Sequence, residues 1–131
     1  MKPVEMLLIE DNPADVLLLS EALLQCGWDS LVTVARDGQE ALDLLAAKGS
    51  RPDLILMDLN MPNRSGPEVL AELKADPALA AIPVIILSGS RWDQGLAHTF
   101  GLPEQCYLVK PNSFQGYLET ARRLQSIWRN R

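Results

Sequence analysis

Leu54-Ile55-Leu56-Met57-Asp58-Leu59-Asn60-Met61-Pro62 opens with four apolar residues and then breaks at an acid followed by turn formers. An uninterrupted apolar run of this length suits a strand covered on both faces, as in a parallel sheet. Three other stretches have the same form. Val4-Glu5-Met6-Leu7-Leu8-Ile9 ends on Glu10-Asp11, Pro83-Val84-Ile85-Ile86-Leu87 ends on Ser88, and Cys106-Tyr107-Leu108-Val109 ends on Lys110. The carboxyl ends of the strands of an open parallel sheet share one edge, where ligands bind. Glu10, Asp11, Asp58, Ser88 and Lys110 should therefore meet there. Three carboxylates, a hydroxyl and an ammonium are suited to hold a divalent cation and a phosphoryl group.

Helical patterns fill the intervals between these runs. After the first, Asn12 is a good N-cap and Pro13 fits the first helical turn; Val16, Leu19 and Leu23 give an apolar face, and Gly27 can end the helix. Leu31-Val32-Thr33-Val34-Ala35 reads as a second strand. Asp37-Gly38-Gln39-Glu40 then has the form of a capping box, ahead of a helix that carries Ala41, Leu42, Leu44 and Leu45 and ends at Gly49. Met61-Pro62-Asn63-Arg64-Ser65-Gly66-Pro67 is dense in turn formers and predicts a loop over the sheet edge, followed by a helix from about Glu68 to Ala75 that Asp76-Pro77 breaks. A short helix is expected within Trp92 to Phe100, and a final one from near Ser113. Five strands alternating with five helices predict an α/β fold: a flavodoxin-like (βα)5 three-layer sandwich with a parallel sheet in strand order 2-1-3-4-5.

The chain of 131 residues has room for one core and one domain. Its formal net charge of -5 lacks the positive field that draws proteins to phosphate backbones, so nucleic acid is not an expected partner. No apolar run approaches a membrane span, and Met1-Lys2-Pro3-Val4-Glu5 has none of the features of an export signal; a cytoplasmic location follows as the expectation. Cys26 and Cys106 fall in no metal-binding or redox spacing and are expected to be reduced, small packing residues.

Ile9-Glu10-Asp11-Asn12, Leu56-Met57-Asp58-Leu59-Asn60-Met61-Pro62, Leu87-Ser88-Gly89 and Tyr107-Leu108-Val109-Lys110-Pro111 together resemble the receiver domain of two-component response regulators, in order and over essentially the whole chain. The resemblance implies that Asp58, at a solvent-facing strand end, accepts a phosphoryl group from a sensor histidine kinase. Glu10, Asp11 and Asp58 would hold Mg²⁺ with the backbone carbonyl of Asn60. Lys110 would pair with a phosphoryl oxygen as a point charge, Ser88 would bond the phosphoryl group, and Tyr107 would move inward as the second half of the switch. Ser65 stands where many receivers have an acid and Gly89 where alanine is commoner, and neither change removes a reacting group. Asn60 and Ser90 occupy positions that tune loss of the phosphoryl group.

The resemblance also implies output through contacts between proteins, with no effector domain after the final helix. Gly101 to Tyr107 and the ending Phe114…Tyr117…Ile127-Trp128 look most like stand-alone receivers that partner bacterial phytochrome histidine kinases. Such receivers tend to dimerise through the face of the fourth helix (here Trp92 to Phe100), the fifth strand and the final helix, where Tyr117, Ala121, Leu124 and Trp128 recur at helical spacing beside Arg122, Arg123 and Arg129. Core packing explains the first three of these equally well, and Trp92 and His98 read as packing or surface residues. Two other readings stand beside this one. Asp58-Leu59-Asn60 resembles the Asp-x-Asp motif of haloacid-dehalogenase-like aspartyl-phosphate hydrolases, which carry it on their first strand; a degenerate receiver would be a docking module without phosphorylation.

Overall fold

The computed structural model describes residues 2–47, 51–59, 61, 63–89, 101–103 and 106–130. The strands are β1 (Val4–Ile9), β2 (Ser30–Ala35), β3 (Leu54–Met57), β4 (Val84–Ser88) and β5 (Tyr107–Val109). The helices among the described residues are α1 (Pro13–Gln25), α2 (Gly38–Ala46), α3 (Gly66–Ala75), α4 (Pro77–Ala80) and α5 (Phe114–Arg129). All neighbouring strands are parallel, in the order β2-β1-β3-β4-β5, as expected from the alternating pattern. The helix expected within Trp92 to Phe100 and the stop at Gly49 lie outside the described residues.

Alternation along each strand divides the core in two. Leu7, Ile9, Ile55, Met57 and Ile86 face a layer built with Ala41 and Leu45 of α2 and Val69, Leu70 and Leu73 of α3. Met6, Leu8, Leu54, Leu56 and Ile85 face the opposite layer, with Leu19, Ala22 and Leu23 of α1 and Tyr117, Ala121 and Leu124 of α5. Every residue of β3 and β4 is buried, which is why these strands read as unbroken apolar runs rather than as alternation. Cys26 and Cys106 are free thiols, partly buried against the second layer.

The caps follow local chemistry. Asn12 Oδ1 accepts from the backbone N–H of Ala14 (2.9 Å) and of Asp15 (3.3 Å), Pro13 opens α1, and Gly27 lies just beyond its end at φ +76°, a conformation in which an L side chain is disfavoured. Asp37 caps α2 through a 2.7 Å bond from the Glu40 N–H. Two boundaries differ from expectation. Helix α3 starts at Gly66 because Ser65 and Glu68 form a reciprocal capping box, and Pro77 opens the further turn α4 because Asp76 caps it at the Ala78 N–H (2.9 Å). No described helix is long and apolar enough to cross a membrane.

Gly66 ties the loop after β3 to the sheet edge. Its N–H donates to the Leu59 carbonyl at 3.0 Å, and a Cβ built on it would lie 2.6 Å from the Leu59 Cα and 3.1 Å from the Asp58 carbonyl oxygen. Both neighbours are backbone and cannot rotate away. Replacing Gly66 with Ala should therefore destabilise the fold by about 1–3 kcal/mol, read as a lower urea midpoint with an unchanged slope.

Candidate functional site

The backbone ladder runs one residue past the strands and anchors the polar positions that follow them. The Glu10 N–H donates to Ala35 O (2.9 Å), the Asp58 N–H to Ile9 O (3.1 Å) and the Lys110 N–H to Ser88 O (2.8 Å). Glu10, Asp58, Ser88 and Lys110 consequently share one edge. Asp58 is only 6% exposed and Glu10 4%, so Asp58 does not face open solvent as its strand-end position suggested. It is buried beside the Lys110 side chain, which is itself only 15% exposed.

Lys110 Nζ lies 2.6 Å from Glu10 Oε1, 2.9 Å from Asp15 Oδ2 and 3.0 Å from Asp58 Oδ2. An ammonium has three protons, and three carboxylates occupy its reach. Asp15 is a residue that the sequence reading missed. It is the third residue of α1, where a carboxylate is favoured by the positive end of the helix. Its other oxygen, Oδ1, accepts from the Tyr117 hydroxyl at 3.0 Å. The available signal was its place in the first turn of α1, where side chains tilt back toward the amino end of the helix and so toward the sheet edge.

Burial pushes the Glu10 carboxyl up to about 7, against the pull of Lys110 and of the Asn12 N–H that donates to Glu10 Oε2 at 3.2 Å. Burial alone would lower the Lys110 ammonium, but its bonds to Glu10, Asp15 and Asp58 outweigh that and raise it. The Tyr117 hydroxyl is raised by burial and by its bond to Asp15, so it stays a donor. One ammonium thus faces three carboxylates in a half-dry recess, and the site carries excess negative charge.

Glu10, Asp11 and Asp58 each offer a carboxylate oxygen, all within 4.8 Å of one another. Two of these residues are buried and Asp11 is exposed. Hard anionic oxygens at this spacing fit a hard divalent cation, and the exposed Asp11 gives it a way in from water. Asn60 lies outside the described residues, as do Ser90, Trp92 and His98.

Ser88 is fully buried at the end of β4. Tyr107 opposes Ile86 across β4 and β5 and is itself buried in the core layer that faces α2 and α3. The stripe on α5 turns inward: Tyr117, Ala121 and Leu124 are at most 1% exposed and pack in the layer shared with α1. They are core residues, not a partner face. Trp128 packs partly buried against the same layer and lines a recess with Lys2, Pro3, Val4, Glu5, Leu31 and Asp53, at the amino ends of the strands and remote from Asp58. Helical periodicity could not show this, because it reports a common face and not what covers it.

The sequence profile of the response regulator receiver domain matches residues 6–122. The response regulator Rcp1 of Synechocystis is 36% identical over 131 residues, covering 96% of this chain and 89% of Rcp1. The Mn²⁺-bound structure of Rcp1 superposes with a TM-score of 0.83 at 35% identity, covering 96% of this chain and 94% of that one. The phosphorylated cyanobacterial phytochrome response regulator RcpA gives a TM-score of 0.85 at 38% identity over 96% of this chain and 94% of its own. The bacteriophytochrome response regulator AtBRR gives 0.79 at 36% identity over 95% and 94%. In this chain Asp58-Leu59-Asn60 follows the third strand, not the first, which separates it from the hydrolase pattern. The chain belongs to the response regulator receiver domain family.

Proposed function

We propose that Asp58 is the phosphoryl acceptor of a two-component relay, fed by a sensor histidine kinase of the bacteriophytochrome type. The observation that carries the reading is the Lys110 ammonium held 3.0 Å from an Asp58 oxygen beside Glu10 and Asp11. An ionised Asp58 oxygen attacks phosphorus, the P–N bond to the donor histidine breaks, and its electron pair stays on the imidazole nitrogen. Bound at Glu10, Asp11, Asp58 and the Asn60 carbonyl, Mg²⁺ would neutralise charge on both reactants. Lys110 pairs with a phosphoryl oxygen as a point charge. The buried Ser88 hydroxyl and the Tyr107 ring are the proposed switch, since a phosphoryl group biases only contacts that differ between two states. The kinase partner is supported by the names of RcpA and AtBRR.

Asp58→Asn should reduce alkali- and hydroxylamine-sensitive labelling by a small phosphodonor to background while the unfolding transition remains cooperative. Full labelling of that variant would overturn the assignment. Lys110→Ala should still label, roughly tenfold or more slowly, and fail to switch.

Cation binding requires Glu10 to lose a proton that the fold retains up to about pH 7. Mg²⁺ affinity measured by calorimetry should rise up to about tenfold per pH unit below 7 and level off above it. The same shift makes the folded, metal-free protein bind more protons than the unfolded chain between about pH 4.5 and 7, so its contribution to stability is present at the low end and lost as pH rises through that window. Asp11→Ala should weaken Mg²⁺ binding and raise metal-free stability; normal binding with lower stability would refute the acidic pocket.

Self-association is the finer output proposal, through the face of β5 and α5 with the region of Trp92 to Phe100. Exposed Arg122, Arg123 and Arg129 supply charge on α5. Sedimentation with and without beryllofluoride should show a dimer favoured by the phosphoryl mimic. A monomer under every condition would remove the dimer and leave docking to other proteins.

A further inference from the structure

Lys110 and a cation at the acidic pocket draw on the same two carboxylates, Glu10 and Asp58. Glu10 and Asp58 both lie within bonding distance of the ammonium, and both belong to the carboxylate group that fits a divalent ion. As those carboxylates turn their charge to a dication, their hold on the ammonium weakens and it gains a repulsive neighbour. Asp15 is the partner that stays. It is not part of the three-carboxylate group, its Oδ2 holds Lys110 at 2.9 Å, and its Oδ1 is held at 3.0 Å by the Tyr117 hydroxyl. Tyr117 is itself 1% exposed and fixed in the core between α1 and α5, so the acceptor presented to Lys110 is mounted on a rigid support.

We propose that Asp15 is a positioning residue: oriented by Tyr117, it takes up the Lys110 ammonium when a cation occupies the carboxylates, and so keeps that charge beside Asp58 for the incoming phosphoryl group. This rests on the reading of Asp58 and Lys110 given above. It makes cation binding depend on a residue that does not touch the cation. It also ties the packing of α1 against α5 to the position of Lys110.

The test is a double-mutant cycle on the full chain, with Mg²⁺ affinity read by calorimetry and initial labelling rate by acetyl phosphate at saturating Mg²⁺. Asp15→Asn keeps the shape of the side chain and removes its charge. It should weaken Mg²⁺ binding roughly threefold or more and slow labelling, whereas in a Lys110→Met background the same change should have little effect on either. Tyr117→Phe should move both readouts in the same direction by less, with the protein still folding cooperatively. Equal losses from Asp15→Asn in both backgrounds would mean that Asp15 contributes only bulk negative charge, and no loss in either would mean that it holds nothing; each overturns the proposal. A wild type that binds no Mg²⁺, or that labels fully as Asp58→Asn, marks failure of the underlying reading instead.

Discussion

A parallel ladder that continues one residue beyond its strands is the constraint on which this molecule depends. Because Ile9 pairs with both Ala35 and Met57, Glu10 and Asp58 start from one level along the edge, while β4 and β5 run two residues further, from Ile86 opposite Met57 to Ser88 opposite Val109, before Lys110 follows. The backbone N–H groups of Glu10, Asp58 and Lys110 are then pinned by neighbouring carbonyls. A one-residue slip of β3 would turn its buried side chains to the wrong layers and carry Asp58 out of the recess. Core packing and site geometry are therefore set by the same register.

Electrostatics at that edge is balanced to be displaced. One ammonium among buried carboxylates cannot neutralise them all, and burial makes the shortage more costly than it would be in water. Glu10 responds by holding its proton to about pH 7, while Lys110 stays charged because every proton it carries has an acceptor. A second cation relieves the excess. This is a reason for a dication to fit beside Glu10, Asp11 and Asp58.

The α5 helix shows how one side chain can serve packing and polarity together. The Tyr117 ring fills the layer against α1, and its hydroxyl reaches past that layer to Asp15. A buried phenol needs an acceptor, and the first turn of α1 supplies one. Trp128, three helical turns further along, packs at the other end of the sheet, beside Lys2 and Asp53. Residues on one stripe of one helix thus meet opposite edges of the sheet.

Much of this was legible in the chain alone. The unbroken apolar runs required strands buried on both faces; their polar endings identified the edge; and Asn12, Pro13, Gly27 and Asp37 marked helix ends by chemistry that acts within four residues. The parallel sheet followed from the alternation of elements, and Glu10, Asp58, Ser88 and Lys110 from their place after each run. The Ser65 to Glu68 capping box and the turn opened by Pro77 were also written locally and were passed over among so many turn formers. Other features had no local signature. The burial of Asp58, the inward turn of Tyr117, the seat of Trp128 and the bond from Lys110 to Asp15, 95 positions away, are all made between distant parts of the chain. Such pairings are decided by how the layers stack on the sheet, because periodicity names the face a residue shares and only the packed neighbour decides what that face meets.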